Sequence, residues 1–214
     1  MEQKRRGRPR SFDEATVLDA ALRTFWERGF DATTLDDLTT ATGLNRPSLY
    51  GAFGDKAALF ALVLDRYQMV GDAAVKEALA RDDPRVAVEA FLRALVIAQT
   101  GGADRERPTP RGCLVSNCAA VGGGGTAHGA RLRGARDAMV DKLADRLAAF
   151  VDDGALPADY PARERAGLLV DITHGFAHRA RAGEGRDALL ADVPARAEAV
   201  LGQRTRKVTP ADER

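Results

Sequence analysis

Cysteine is nearly missing from this chain: Cys113 and Cys118 are the only two in 214 residues. That is too few for a disulfide framework or a cysteine-rich zinc module, and it fits a reducing compartment. An excess of charge of one sign is missing as well. Lysine and arginine number 32 against 31 acidic residues, for a formal net charge of +1, so bulk electrostatics select neither a nucleic-acid coat nor a membrane-surface binder. No apolar run approaches the roughly 20 residues of a membrane span, and a charged tract stands where a secretory signal would carry its apolar stretch. The chain is therefore expected to be soluble and cytoplasmic, with no membrane partner. Aromatic residues make up only 6% of it, but 45% hydrophobic residues are enough for an ordinary packed interior. Period-two alternation never persists long enough for a convincing strand, and no internal repeat is visible.

What is present is unevenly placed. Lys4, Arg5, Arg6, Arg8 and Arg10 face the single Glu2 within the first ten residues. With no apolar side chain after Met1, this arm over residues 1–10 cannot bury a face and is expected to be disordered when free. Arg6-Gly7-Arg8-Pro9 matches the core of an AT-hook. There glycine permits close backbone approach while the guanidiniums of Arg6 and Arg8 enter the narrow minor groove of A·T-rich DNA.

Helical periodicity then runs to the end of the chain. Val17, Leu18, Ala21, Leu22, Phe25 and Trp26 recur at spacings of three and four until Gly29 stops a first helix. Thr34 is placed to cap a short second helix, with Asp36 and Asp37 assigned to capping and to the positive end of the helix dipole. Gly43 supplies a tight turn, Leu44 plugs the core, and Asn45 caps a third helix to about Ala52 with Pro47 in its first turn. From Asp55 a longer helix carries Leu59, Phe60, Val63, Tyr67 and Val70 on one stripe and fades between Arg81 and Pro84. Further helices are expected from Pro84 to Gly101, Cys113 to Val121, about Ala127 to Phe150, Pro161 to Ala182, and about Arg186 to Leu201. The glycine run Gly122–Gly125 is a break or hinge, and residues 205–214 form a polar tail. The expected fold is all-α with about nine helices: a DNA-binding domain over 11–56, then a helical domain over 57–204.

Residues 34–53 join a short capped helix, a glycine turn and a second short helix on one apolar ridge, which is a helix-turn-helix. Such a unit exposes the start of its second helix, so that Arg46 and Ser48 can meet base edges in the major groove. Lys56, at the start of the next helix beside unsatisfied N–H groups, makes an anion site for which phosphate is the natural occupant. Four stretches now line up in order: Gly7-Arg8-Pro9-Arg10-x-Phe12-Asp13, Gly29-Phe30-Asp31-Ala32-Thr33-Thr34, Arg46-Pro47-Ser48-Leu49-Tyr50-x-x-Phe53, and Gly54-Asp55-Lys56. Through them, residues 7–65 resemble the TetR family of one-component transcriptional regulators. The resemblance implies that Arg46 and Ser48 face the groove, that Tyr50 contacts a phosphate and that Lys56 clamps another. The expected DNA-contacting set is Arg6, Arg8, Thr34, Asn45, Arg46, Pro47, Ser48, Tyr50 and Lys56. Leu44, Leu49 and Phe53 are read as core.

The resemblance also implies a homodimer and a small-molecule effector held by the C-terminal helices. Ala166, Leu169, Val170, Thr173, Phe176 and Ala177, with Leu190, Val193, Ala197 and Val200, form apolar stripes that suit a four-helix interface, although an intramolecular core would look the same in sequence. An effector pocket is expected among Phe91, Leu95, Cys113, Asn117, Cys118, Met139 and Phe176. Arg111-Gly112-Cys113-Leu114-Val115 resembles a helix of regulators that sense reactive compounds through cysteine. Yet residues five apart on an intact helix lie about 7.5 Å apart in rise, beyond disulfide reach. His174 and His178 stand one turn apart but lack an evident third ligand, so neither a metal nor a cofactor is assigned. No phosphate-binding glycine loop and no nucleophile–base pair points to an enzyme. The expected function is a repressor released from operator DNA by an effector. The alternatives are a ligand-independent architectural DNA-binding protein or a cysteine-based redox or electrophile sensor.

Overall fold

Side-chain caps and glycines set the helix ends. The computed structural model describes residues 12–102, 108–119 and 127–202. Its described residues contain no strand and nine helices: α1 (Glu14–Arg28), α2 (Leu35–Thr42), α3 (Arg46–Phe53), α4 (Lys56–Leu79), α5 (Pro84–Gln99), α6 (Leu114–Ala119), α7 (Ala127–Asp152), α8 (Ala162–Arg181) and α9 (Arg186–Leu201). Asp13 caps α1 by accepting from the amides of Ala15 and Thr16. Asp83 does the same for α5 through the amide of Val86 at 3.0 Å, with Pro84 in the first turn, where its missing N–H does little harm. Gly43 ends α2 at φ 68°, a left-handed conformation that favours glycine. The basic arm, the glycine run at 122–125 and the polar tail lie outside the described residues, and so does the end expected for the sixth helix at Val121.

The chain divides into two units, each with its own apolar core. One takes the described residues up to Gly71 together with Cys113–Ala135. Phe25, Leu38, Leu49, Phe53 and Phe60 fill its core, and α6 and α7 add Leu114, Cys118 and Leu132. The rings of Phe25 and Phe60 meet edge to face at 5.1 Å. This unit is larger than the module expected over 11–56, because the apolar face of α4 and the side chains of α6 and α7 complete the interior that three short helices cannot close alone.

The other unit, Asp72–Gly112 and Arg136 onward, packs α5, α8 and α9 around Phe91, Phe150 and Phe176. The sequence expectation needs correction here. Ala166, Leu169, Val170, Thr173, Phe176 and Ala177 are already buried inside a single protomer, as are Val193, Ala197 and Val200, and Leu190 packs against the same core. The reason is α5, whose Phe91, Leu92 and Val96 belong to that core. The side chain of Gln99 adds a polar tie, donating to the carbonyl of Thr173 at 3.2 Å. Those stripes form intramolecular core, the alternative that the sequence leaves open. Val70 is a second correction: expected on the buried stripe of α4, it is 69% exposed. Tyr67 packs against one core and Val75 belongs to the other, and residues 69 and 70 fall between them.

Candidate nucleic-acid interface

The surface built by α2 and α3 begins with two caps. Thr34 and Asp37 form a reciprocal capping box: the Asp37 amide donates to Thr34 Oγ1 at 3.1 Å, and the Thr34 amide donates to the Asp37 carboxylate at 2.9 Å. The bonds from Thr34 hold the Asp37 carboxyl below its usual range. At α3 the Ser48 amide donates to the Asn45 side chain at 2.9 Å, with Pro47 in the first turn. Thr34 and Asn45 are thus exposed cap residues whose side-chain oxygens are already engaged.

Leu49 and Phe53 fix α3 to the body at 2% and 4% exposure. Leu49 and Phe53, four apart, share the buried face; Pro47 and Ser48 lie across the helix from it, and Arg46 and Tyr50 stand at its solvent edge, Arg46 in the open first turn. Arg46, Pro47, Ser48 and Tyr50 are all exposed, Tyr50 at 47%, large for an aromatic ring. Arg46 is not alone there. Its Nη2 donates to Asp36 Oδ1 at 2.5 Å, a bond from the first residue of α3 to the first turn of α2, and Asp36 raises the guanidinium pKa. Sequence reasoning assigns Asp36 to capping together with Asp37. In the structure only Asp37 makes the capping bonds, because the box requires the third residue of the helix and Asp36 is the second.

Lys56 opens α4 with its ammonium 4.5 Å from the centre of the Phe30 ring. Burial there pushes its pKa down, and Asp31 opposes the shift. His128 of α7 also stacks on Phe30, at 4.1 Å between centroids, as does Phe25 at 6.0 Å. Asp55 takes the amide of Ala58 at 2.8 Å, which leaves the amides of Lys56 and Ala57 as the first-turn donors that Asp55 does not engage. Sequence reading misses Phe30 as the support of Lys56, although an aromatic ring beside a lysine is a recognisable cation–π pair.

Arg6 and Arg8 lie outside the described residues. The set expected to line a pocket divides between the two units. Phe91, Leu95, Met139 and Phe176 belong to or pack against the larger core. Cys113, Asn117 and Cys118 belong to the smaller unit, where Asn117 donates to the carbonyl of Trp26 at 3.2 Å and Cys118 reaches that of Phe25 at 3.7 Å. Cys113 precedes α6, its sulfur 3.4 Å from the Tyr67 hydroxyl, and neither cysteine is in a disulfide. Among the described residues no group of three or more His, Cys, Asp or Glu side chains is placed to hold a metal ion, and no helix is long and apolar enough to cross a membrane.

The family model described as bacterial regulatory proteins, tetR family, matches residues 17–63, from α1 through the paired short helices into α4. Over 190 residues the chain is 33% identical to the HTH-type transcriptional repressor ComR of Escherichia coli (strain K12), spanning 88% of this chain and 89% of that protein. A shorter stretch of 78 residues is 46% identical to the HTH-type transcriptional repressor BdcR of the same organism, covering 36% of this chain and 39% of that protein. Among solved structures, a cysteine mutant of the TetR family transcriptional regulator CifR, complexed with 26-base-pair double-strand operator DNA, superposes with a TM-score of 0.81. It is 32% identical and covers 90% of this chain and 99% of its own.

Proposed function

Because the chain belongs to the TetR family of bacterial regulatory proteins, we propose that it represses transcription by setting α3 into the major groove of an operator. The observation that carries this reading is the outward face of α3, where Arg46, Ser48 and Tyr50 stand exposed on a helix anchored by Leu49 and Phe53. Arg46 and Ser48 read base edges, while Tyr50 and Lys56 hold the phosphate backbone. The cap residues Thr34 and Asn45 lie at the same edge. Selection of bound duplexes from a random pool tests the reading. It should return one site with two half-sites about 34 Å apart, one turn of the duplex. A pool that stays random would overturn it.

Lys56→Ala should weaken operator and random DNA by a similar factor and reduce the slope of log K against log salt by about 1 for each phosphate no longer neutralised. Equilibrium titrations at several salt concentrations read this directly. An unchanged slope would place Lys56 off the backbone. Removing residues 1–10 should weaken operators with A·T-rich flanks more than those with G·C-rich flanks. Equal weakening on both would reduce the arm to a general positive charge.

Repression at two half-sites requires two copies. With their inner stripes buried, α8 and α9 offer their outer faces instead: Leu168 and Gly175 on α8, and Ala191, Ala195 and Ala199 on α9. A Cβ added at Gly167 or Gly175 would meet nothing within 4 Å among the described residues, so both positions leave room for close approach of a partner helix. The effector enters the unit formed by α5, α8 and α9, near Phe91, Leu95, Met139 and Phe176. Gln99 supplies the polar anchor there, since its buried side-chain oxygen has no hydrogen-bond donor among the described residues. Binding there shifts the balance between operator-competent and incompetent arrangements of the two heads.

A further inference from the structure

We infer that Asp36 is a specificity-determining residue of the DNA-reading surface, acting by its bond to the Arg46 guanidinium. The inference deepens the reading of Arg46 as a base-contacting residue and rests on it. Asp36 is not required to cap α2, since Thr34 and Asp37 form the capping box and Asp37 also meets Arg28 at 3.1 Å. The Asp36–Arg46 pair, with side chains 74% and 57% exposed, is too open to water to add much to fold stability. A carboxylate on a face that approaches phosphates also repels every duplex, whatever its sequence. Its place beside the first residue of the reading helix must therefore act on discrimination.

Geometry supplies the means. Arginine carries five N–H donors in a planar fork, and the bond from Nη2 to Asp36 uses one of them. That bond holds the plane of the fork and leaves donors for the paired acceptors O6 and N7 of a guanine. A correct base pair recovers what the carboxylate loses against the backbone, and a wrong one leaves that repulsion uncompensated. Discrimination thus gains both an oriented reader and a penalty on non-cognate DNA.

The test compares dissociation constants for the selected operator and for a random duplex of equal length, at one salt concentration. Asp36→Ala should tighten random DNA severalfold by removing one negative charge, and the ratio of operator to random affinity should fall about tenfold. Asp36→Asn, which keeps an acceptor for Nη2 without the charge, should tighten random DNA similarly but retain more of the ratio, and it serves as the readout should Asp36→Ala fail to fold. With Arg46→Ala already in place, removing Asp36 should change both duplexes by one common factor. If Asp36→Ala alone shifts both duplexes equally, the carboxylate acts only as bulk charge and the inference is overturned. If Arg46→Ala by itself leaves the ratio unchanged, Arg46 is no base reader, and the inference falls together with that reading.

Discussion

Arg46→Ala is expected to leave the protein folded and to bring its affinities for operator and random DNA close together. Arg46 is exposed, and its only described ion pair, with Asp36, is solvent-facing, so the change costs the fold at most about 1 kcal/mol. A bidentate arginine–base contact discriminates by about 1–3 kcal/mol. The dimer proposed above would make the contact twice, which puts about 2–6 kcal/mol of specificity at stake, on the order of 30-fold to 10⁴-fold. Competition titrations at fixed salt, with circular dichroism confirming the helices, measure it. A folded variant that keeps its ratio of operator to random affinity would remove Arg46 from base recognition. Lys56→Ala should behave differently, because a side chain that holds the backbone supports binding to any duplex, whereas one that reads a base supports binding to the operator alone.

The caps and turn of α2 and α3 were largely legible because each has a local chemical signature. Thr34 three residues before Asp37 spells a capping box, and Asn45 before Arg46-Pro47 spells a helix start. Gly43 marks the turn between them, and α9 begins and ends at the two residues expected from the sequence, Arg186 and Leu201. What stayed hidden depends on pairing between segments distant in sequence. Nothing local says that Asp36 meets Arg46 ten residues on, or that Phe30 lies beneath Lys56. Composition places Cys118 with Phe91 because both sit in apolar segments, yet α6 packs with α1 in the first unit. Hydrophobic periodicity reports that a face is buried and not what buries it.

The same limit explains the inner stripe of α8. Leu169 and Leu168 are adjacent leucines with equal claim to an interface by composition, but one is fully buried and the other is 38% exposed. Without α5 in place, a helix with two apolar sides cannot be oriented from its sequence. Polar residues do not resolve it either, since Asp171 and His178 flank the outer side while Thr173 lies on the inner one.

Those two leucines give the second large prediction. Leu168→Asp should leave each protomer folded, because the side chain is already 38% exposed within it, and should separate the proposed dimer by forcing an unpaired charge into the seam between copies. Joining two heads on one duplex raises affinity by roughly 10²–10⁴ over a single head without any new contact, so operator binding should fall by that factor while affinity for an isolated half-site is retained. Sedimentation gives the mass, and titration against full and half operators gives the two affinities. Leu169→Asp is the control with the opposite signature. It places a carboxylate in a core with no exposure, and a fold of ordinary stability, about 5–15 kcal/mol, is not expected to survive an unpaired buried charge. A Leu168→Asp protein that sediments as a dimer with full operator affinity would move the seam away from the outer face of α8. An unfolded Leu168→Asp protein would instead show that this leucine supports the protomer itself.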